Sequence, residues 1–219
     1  MMIRELALWL VMSACLSGSP SMAGDLHAMV YDDEGKPLPD AVVVAYPDGF
    51  EVAPPEAMVE VEDQVNKEFV PYVKPVRVGT LVRFPNKDDI SHHVYSFSPA
   101  KRFELPLYKG SVASPVMFEK AGVVKLGCNI HDWMIGYIYV TDAPFFGKSA
   151  AQGSVSIAEM PAGTYRVRVW HPRMAAPEDS TARRIMVQGS APAVVEWRLK
   201  LNREFRPRRT PLPGEPGYR

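Results

Sequence analysis

Apolar and polar residues alternate in short runs along most of this chain, and amphipathic helical periodicity is hard to find. The first half carries HAMVYD (27–32), AVVVAY (41–46), VRVGTLVRF (76–84) and HHVYSF (92–97). The second half carries GVVKL (122–126), YIYVTD (137–142), GSVSI (153–157), YRVRVW (165–170), RRIMVQ (183–188) and AVVEWRLKL (193–201). Turn-forming clusters separate them, among them DDEGKPLPD, PNKDD, EKAG, MPAGT and VQGSAP. A two-residue period over four to eight residues, punctuated in this way, predicts strands. Many short strands in series predict an all-β protein of sandwiches or barrels. Composition agrees: 21 prolines in 219 residues is roughly twice the usual ~5% and disfavours long helices. The ordered length, about 180 residues, suits two small β units better than one.

The two ends depart from this pattern. Residues 1–23 read as a secretory signal, with Arg4 as the positive n-region and an apolar run from Leu6 to Leu16. That run is too short to span a bilayer. Small residues at Ser21 and Ala23 mark a cleavage site, so the mature chain is expected to start at Gly24 in the periplasm. A lipid-modified Cys15 is the alternative, but Met12 fits poorly three positions before it. No other apolar stretch approaches membrane-spanning length, so no membrane span is expected. At the other end, residues 203–219 are rich in Pro and Arg and are expected to be disordered, because they have too little apolar surface to offset ordering.

Charge and motifs narrow the function by exclusion. The formal net charge is zero and no basic cluster falls in the folded region, so nucleic acid is not an expected partner. Ser114 and Ser154 lack a neighbouring histidine motif, and there is neither a glycine-rich phosphate loop nor an HExxH pattern. An enzyme is therefore not expected. Of the two cysteines, Cys15 is lost with the signal, which leaves Cys128 as a lone thiol in an oxidising compartment.

That thiol lies in GCNIHDWMIG (127–136), where Cys128, His131 and Met134 fall within seven residues. A loop between the GVVKL and GYIYV strands can fold such donors around one ion. Thiolate, imidazole and thioether together favour copper, and the thioether argues against zinc. A trigonal copper site needs a second histidine, and His27, His92, His93 and His171 are the candidates.

Here a family resemblance enters. The stretch from Phe118 to Val140 resembles the closing strands of cupredoxins, the blue copper proteins of the amicyanin and plastocyanin type. It shares Phe118, Ala121, Gly122, Cys128, His131, Met134 and Gly136 with them. Upstream, Glu68 to Phe97 resembles the early cupredoxin strands through Phe69, Pro71, Val78, Gly79, Val82, Phe84 and Asn86. The resemblance implies a cupredoxin Greek-key sandwich holding one copper ion in a type 1 site of His92, Cys128, His131 and Met134. His92 is preferred to His93 because it stands six positions after Asn86. His93 occupies the position of a loop-tying asparagine, and Ile130 and Asp132 replace prolines flanking the second histidine. The charge of Asp132 beside His131 would lower the potential or alter the choice of partner.

A second resemblance frames the first. Val30 to Tyr46 and Ala150 to Pro172 resemble separate pieces of a carboxypeptidase regulatory-like, or transthyretin-like, sandwich. They imply a discontinuous unit of residues 24–54 plus 143–202, with the cupredoxin unit, residues 55–142, inserted; tandem sandwiches are the alternative. The function implied is electron carriage between periplasmic redox partners, a dehydrogenase or a cytochrome. His131 would be the port, with Trp133 and Ile135 as its apolar rim. Copper delivery, or a structural module without a redox role, are the alternatives.

Overall fold

The computed structural model describes residues 23–53, 56, 58–110, 114–189 and 191–203. The expected signal segment up to Met22 and the expected tail beyond Arg203 lie outside the described residues. The protein is all-β. Its strands begin with β1 (Ala23–Asp32) and β2 (Val42–Pro47). Ten follow in close succession, beginning with β3 (Val59–Val61), β4 (Asp63–Val65), β5 (Glu68–Val70), β6 (Val73–Arg77) and β7 (Thr80–Arg83). The other five are β8 (His92–Ser98), β9 (Lys101–Tyr108), β10 (Val116–Phe118), β11 (Gly122–Gly127) and β12 (Ile135–Thr141). The last are β13 (Phe145–Lys148), β14 (Ser154–Pro161), β15 (Gly163–Trp170), β16 (Arg183–Val187) and β17 (Ala193–Leu199). The helical content of the described residues is one 3-10 turn, Glu178–Thr181, and no helix is long and apolar enough to cross a membrane.

Strand pairing sorts these elements into two groups. Sheets β14-β1-β17 and β13-β2-β15-β16 face each other, and alternate residues from both close one core. Leu26 and Val30, Val43 and Ala45, Tyr165 and Val167, and Val195 and Trp197 all point into it. Sheets β10-β7-β3 and β6-β12-β11-β8-β9 face each other around a second core containing Phe69, Val82, Phe84, Phe118, Leu126 and Ile138. Among the described residues, β1 and β2 pair only with strands after Ala143, and β3 to β12 pair only among themselves.

A third apolar cluster joins the groups. Val42 and Val44 meet Val73, Tyr139 and Ala143, with Tyr137 and Trp170 packed alongside. This explains AVVVAY: Val43 and Ala45 face the first core while Val42 and Val44 face the junction, so alternation vanishes in a strand buried on both faces. β12 does the same, with Ile138 and Val140 on one side and Tyr137 and Tyr139 on the other.

The sequence expectations differ in detail, and β3, β4, β5, β9, β10 and β13 lie in none of the predicted alternating runs. The run VRVGTLVRF forms two strands rather than one, because Gly79 has φ 90° and turns the chain from β6 into the opposite sheet as β7. β9 was not expected. It lies at a sheet edge, half exposed, and Pro106 within it is tolerated there because an edge strand need not donate on both sides.

Candidate metal centre

The Cys128–Met134 loop connects β11 to β12 at one end of the second core. The amide of Met134 donates to the carbonyl of His131 at 2.9 Å, which closes the loop in a single turn. Two glycines flank the loop where other residues would not fit. A Cβ on Gly127 would meet the Tyr95 ring at 2.8 Å, and one on Gly136 would meet Phe69 at 2.7 Å. Cys128 and Met134 are both buried in the apolar cluster that fills this end of the sandwich.

His92 opens β8, directly across the sheet from the loop, and is wholly buried. One donor atom each from His92, Cys128 and His131 lie within 4.8 Å of one another. The Cys128 sulfur is 3.7 Å from Nδ1 of His131. The rings of His92 and His131 are 5.0 Å apart between centroids. Nδ1 of His92 is buried with no hydrogen-bond partner, an expensive condition for an imidazole nitrogen unless something else occupies its lone pair. Burial, followed by the neighbouring His92 and Lys67, pushes the pKa of His131 down, which favours the neutral ring a metal requires. The donor set therefore fits a thiolate–imidazole ion site, and the thioether of Met134 lies in the same buried cluster.

His92 is held from behind. Its Nε2 lies 2.7 Å from Oδ2 of Asp88. The same carboxylate accepts the backbone amides of Asn66 at 2.7 Å and Lys67 at 2.8 Å. Asn66 and Lys67 are the two-residue loop between β4 and β5, and both have positive φ, as a type I′ hairpin turn requires. Asn86 completes the arrangement: its Oδ1 accepts the Asp88 amide, and its Nδ2 donates to the carbonyls of Ile90 and Tyr108. Burial opposes ionisation of Asp88, but the hydrogen bonds from His92, Lys67 and Asn66 outweigh it and lower its pKa.

The other histidines go elsewhere. His93 follows His92 in β8 but pairs with Oε1 of Glu104 on β9 at 2.8 Å and stacks on Tyr95, outside the donor cluster. That hydrogen bond runs to β9 and does not tie the two ligand-bearing loops together, the task of the asparagine usual at this position in the resembling family. His27 is exposed on β1. His171 follows β15 in the first sandwich, where its Nδ1 accepts the Arg173 amide at 3.2 Å. Around the loop, Ile130 is exposed, Asp132 is exposed, and the Trp133 ring lies 5.2 Å from that of His131.

Sequence reasoning missed Asp88 and the turn that holds it. The available signals were an aspartate four residues before His92 and the dipeptide Asn66-Lys67 between two short polar strands. Neither is distinctive without the pairing of β4 with β5.

No family model matches the chain, and no curated protein matches it. Solved structures similar to part of it include a purple cupredoxin from Nitrosopumilus maritimus, at 25% identity over 39% of this chain and 100% of that one, with TM-score 0.33. A reduced Cu(I) form of an amicyanin mutant is 26% identical over 42% of this chain and 87% of its own, with TM-score 0.34. A copper-containing nitrite reductase from Thermus scotoductus is 25% identical over 43% of this chain and 25% of its own, with TM-score 0.36.

Proposed function

We propose that this protein is an exported mononuclear copper protein that carries single electrons between periplasmic redox partners, in which His92, Cys128 and His131 would be the strong ligands and Met134 a weaker fourth. The observation that carries the reading is the convergence of a buried thiol with one ring nitrogen each of His92 and His131 within 4.8 Å, with Nδ1 of His92 buried and without a hydrogen-bond partner. Copper bound there would supply a one-electron couple.

The chain's own residues do the rest. The single-turn loop and the buried β8 ligand restrict movement between oxidation states, and the packed core excludes water from the sulfur. His131 is the least buried of the donors, at 9% exposure, and in this reading Trp133, whose ring lies 5.2 Å from its own, and the half-buried Ile135 form the apolar rim for a dehydrogenase or cytochrome. In this reading residues 55–142 form a cupredoxin unit inserted into a transthyretin-like sandwich, which is supported by the pairing of β1 and β2 with β13 to β17 alone. The protein acts as a carrier rather than a catalyst. Export rests on the character of residues 1–23.

Copper delivery is the rival, and one pair of measurements separates the two. The Cu(II)-loaded mature protein should show an intense visible thiolate band that Cys128→Ser abolishes. Stopped-flow reduction should be fast, with copper retained, and Trp133→Glu should slow it without loss of metal. Ready loss of Cu(I) to an acceptor protein would establish the delivery role instead.

A further inference from the structure

Three polar groups meet the Asp88 carboxylate among the described residues, and a fourth bond is made by the amide of Asp88 itself. Two are the amides of a left-handed hairpin turn, one is the buried imidazole of His92, and its own amide is capped by Asn86. Backbone amides donate only, so both carboxylate oxygens already accept protons when His92 arrives. A carboxylate so placed accepts a hydrogen bond from Nε2 and leaves the Nδ1 lone pair bare. The opposite tautomer would put a proton on Nδ1, a buried atom with no hydrogen-bond partner, and would set Nε2 against a carboxylate with two lone pairs facing.

We infer that Asp88 is a positioning residue: held by the β4–β5 turn, it fixes His92 as the Nε2–H tautomer and aims Nδ1 at Cys128 and His131. The turn thus acts through two hydrogen-bond layers on a donor it does not touch. A hydrogen-bonded carboxylate also makes the imidazole a stronger donor, which stabilises the more highly charged oxidised ion over the reduced one. This redox consequence rests on the copper reading; the tautomer does not.

The test has two arms. In the metal-free mature protein at about pH 8, above the ordinary histidine range, ¹⁵N–¹H NMR of the His92 ring should show a single Nε2–H tautomer. In Asp88→Ala it should show a mixture. In the copper-loaded protein, Asp88→Ala should weaken Cu(II) binding about 10–100-fold, the usual effect of losing such a partner, and should weaken Cu(I) binding less. The midpoint potential should rise by about 59 mV for each tenfold difference between the two losses. Asp88→Asn, which keeps an acceptor oxygen, covers the case in which the alanine variant fails to fold; it too should raise the potential. A wild-type ring protonated on Nδ1 or mixed between tautomers would overturn the inference, as would an unchanged potential in Asp88→Asn. If wild type shows no thiolate–copper band, the copper reading fails while the ring measurement still decides the role of Asp88.

Discussion

The two cores are built on the same plan and treat polar groups differently. In the first, the polar ends of the large aromatics are satisfied: Tyr165 donates to the Pro161 carbonyl at 2.7 Å and Trp197 to the Thr181 carbonyl at 2.9 Å. Among the described residues, the first sandwich has one buried side-chain polar atom without a hydrogen-bond partner, Nε of Arg168, which still lies 3.5 Å from Glu178. The rest are on Glu62, Asp63, Gln64, His92, His93 and Trp133, all within the β3–β12 sandwich. Buried unsatisfied groups cost on the order of 1–3 kcal/mol each, so the β3–β12 sandwich gives up stability that the first largely keeps; of these residues, His92 belongs to the donor group. The same sandwich holds the buried thiol. The first unit closes its polar groups within its packing, whereas the second leaves several open and carries a donor group that could hold a metal.

The largest effect comes from dividing the molecule along this difference. If the first sandwich is self-sufficient, excising residues 55–142 and bridging the gap with a short flexible linker should leave a folded β protein. Amide dispersion checks this, and a collapsed spectrum would favour tandem units instead.

Next comes Tyr165→Ala, which removes a fully buried ring, its edge contacts with Phe50 and Phe145, and its hydrogen bond. Urea unfolding should show a loss of about 3–5 kcal/mol. The visible copper band should be unchanged below the transition, since no donor touches this core.

His171 gives the first sandwich a pH dependence of its own. Burial, with the Arg173 charge second, lowers its pKa from 6.5 to about 4. Above pH 6.5 both folded and unfolded chains are neutral at this site. As pH falls from 6.5 towards 4, the unfolded chain takes up a proton that the folded chain refuses, so stability declines by up to about 3 kcal/mol. His171→Asn retains an acceptor for the Arg173 amide and should flatten that part of the stability profile.

The smallest effect sharpens the comparison within the second sandwich. His93→Ala loses a hydrogen bond with a mostly exposed Glu104, worth about 1 kcal/mol, and should keep the copper band. His92→Ala should abolish it. The reverse pattern would move the ligand role to His93.

Much of this was legible in the chain because it is local. Alternation over four to eight residues is a property of single strands, so β1, β8, β14, β15 and β17 were readable from side-chain period alone. Cys128, His131 and Met134 converge because one turn brings them together, and spacing within a turn is written in the sequence. What lies across sheets was not. The preference for His92 over His93 rested on spacing after Asn86 in the family resemblance; the tertiary structure supplied the physical reason, because neighbours on a strand point to opposite faces and it is His92 that joins Cys128 and His131. Only the pairing of β4 with β5 aimed the amides of Asn66 and Lys67 at Asp88. The continuous burial of Val42 to Ala45 likewise required a second sandwich to cover the outer face of the first. Short-range periodicity and turn chemistry belong to the sequence; which faces meet depends on contacts between residues far apart in the chain.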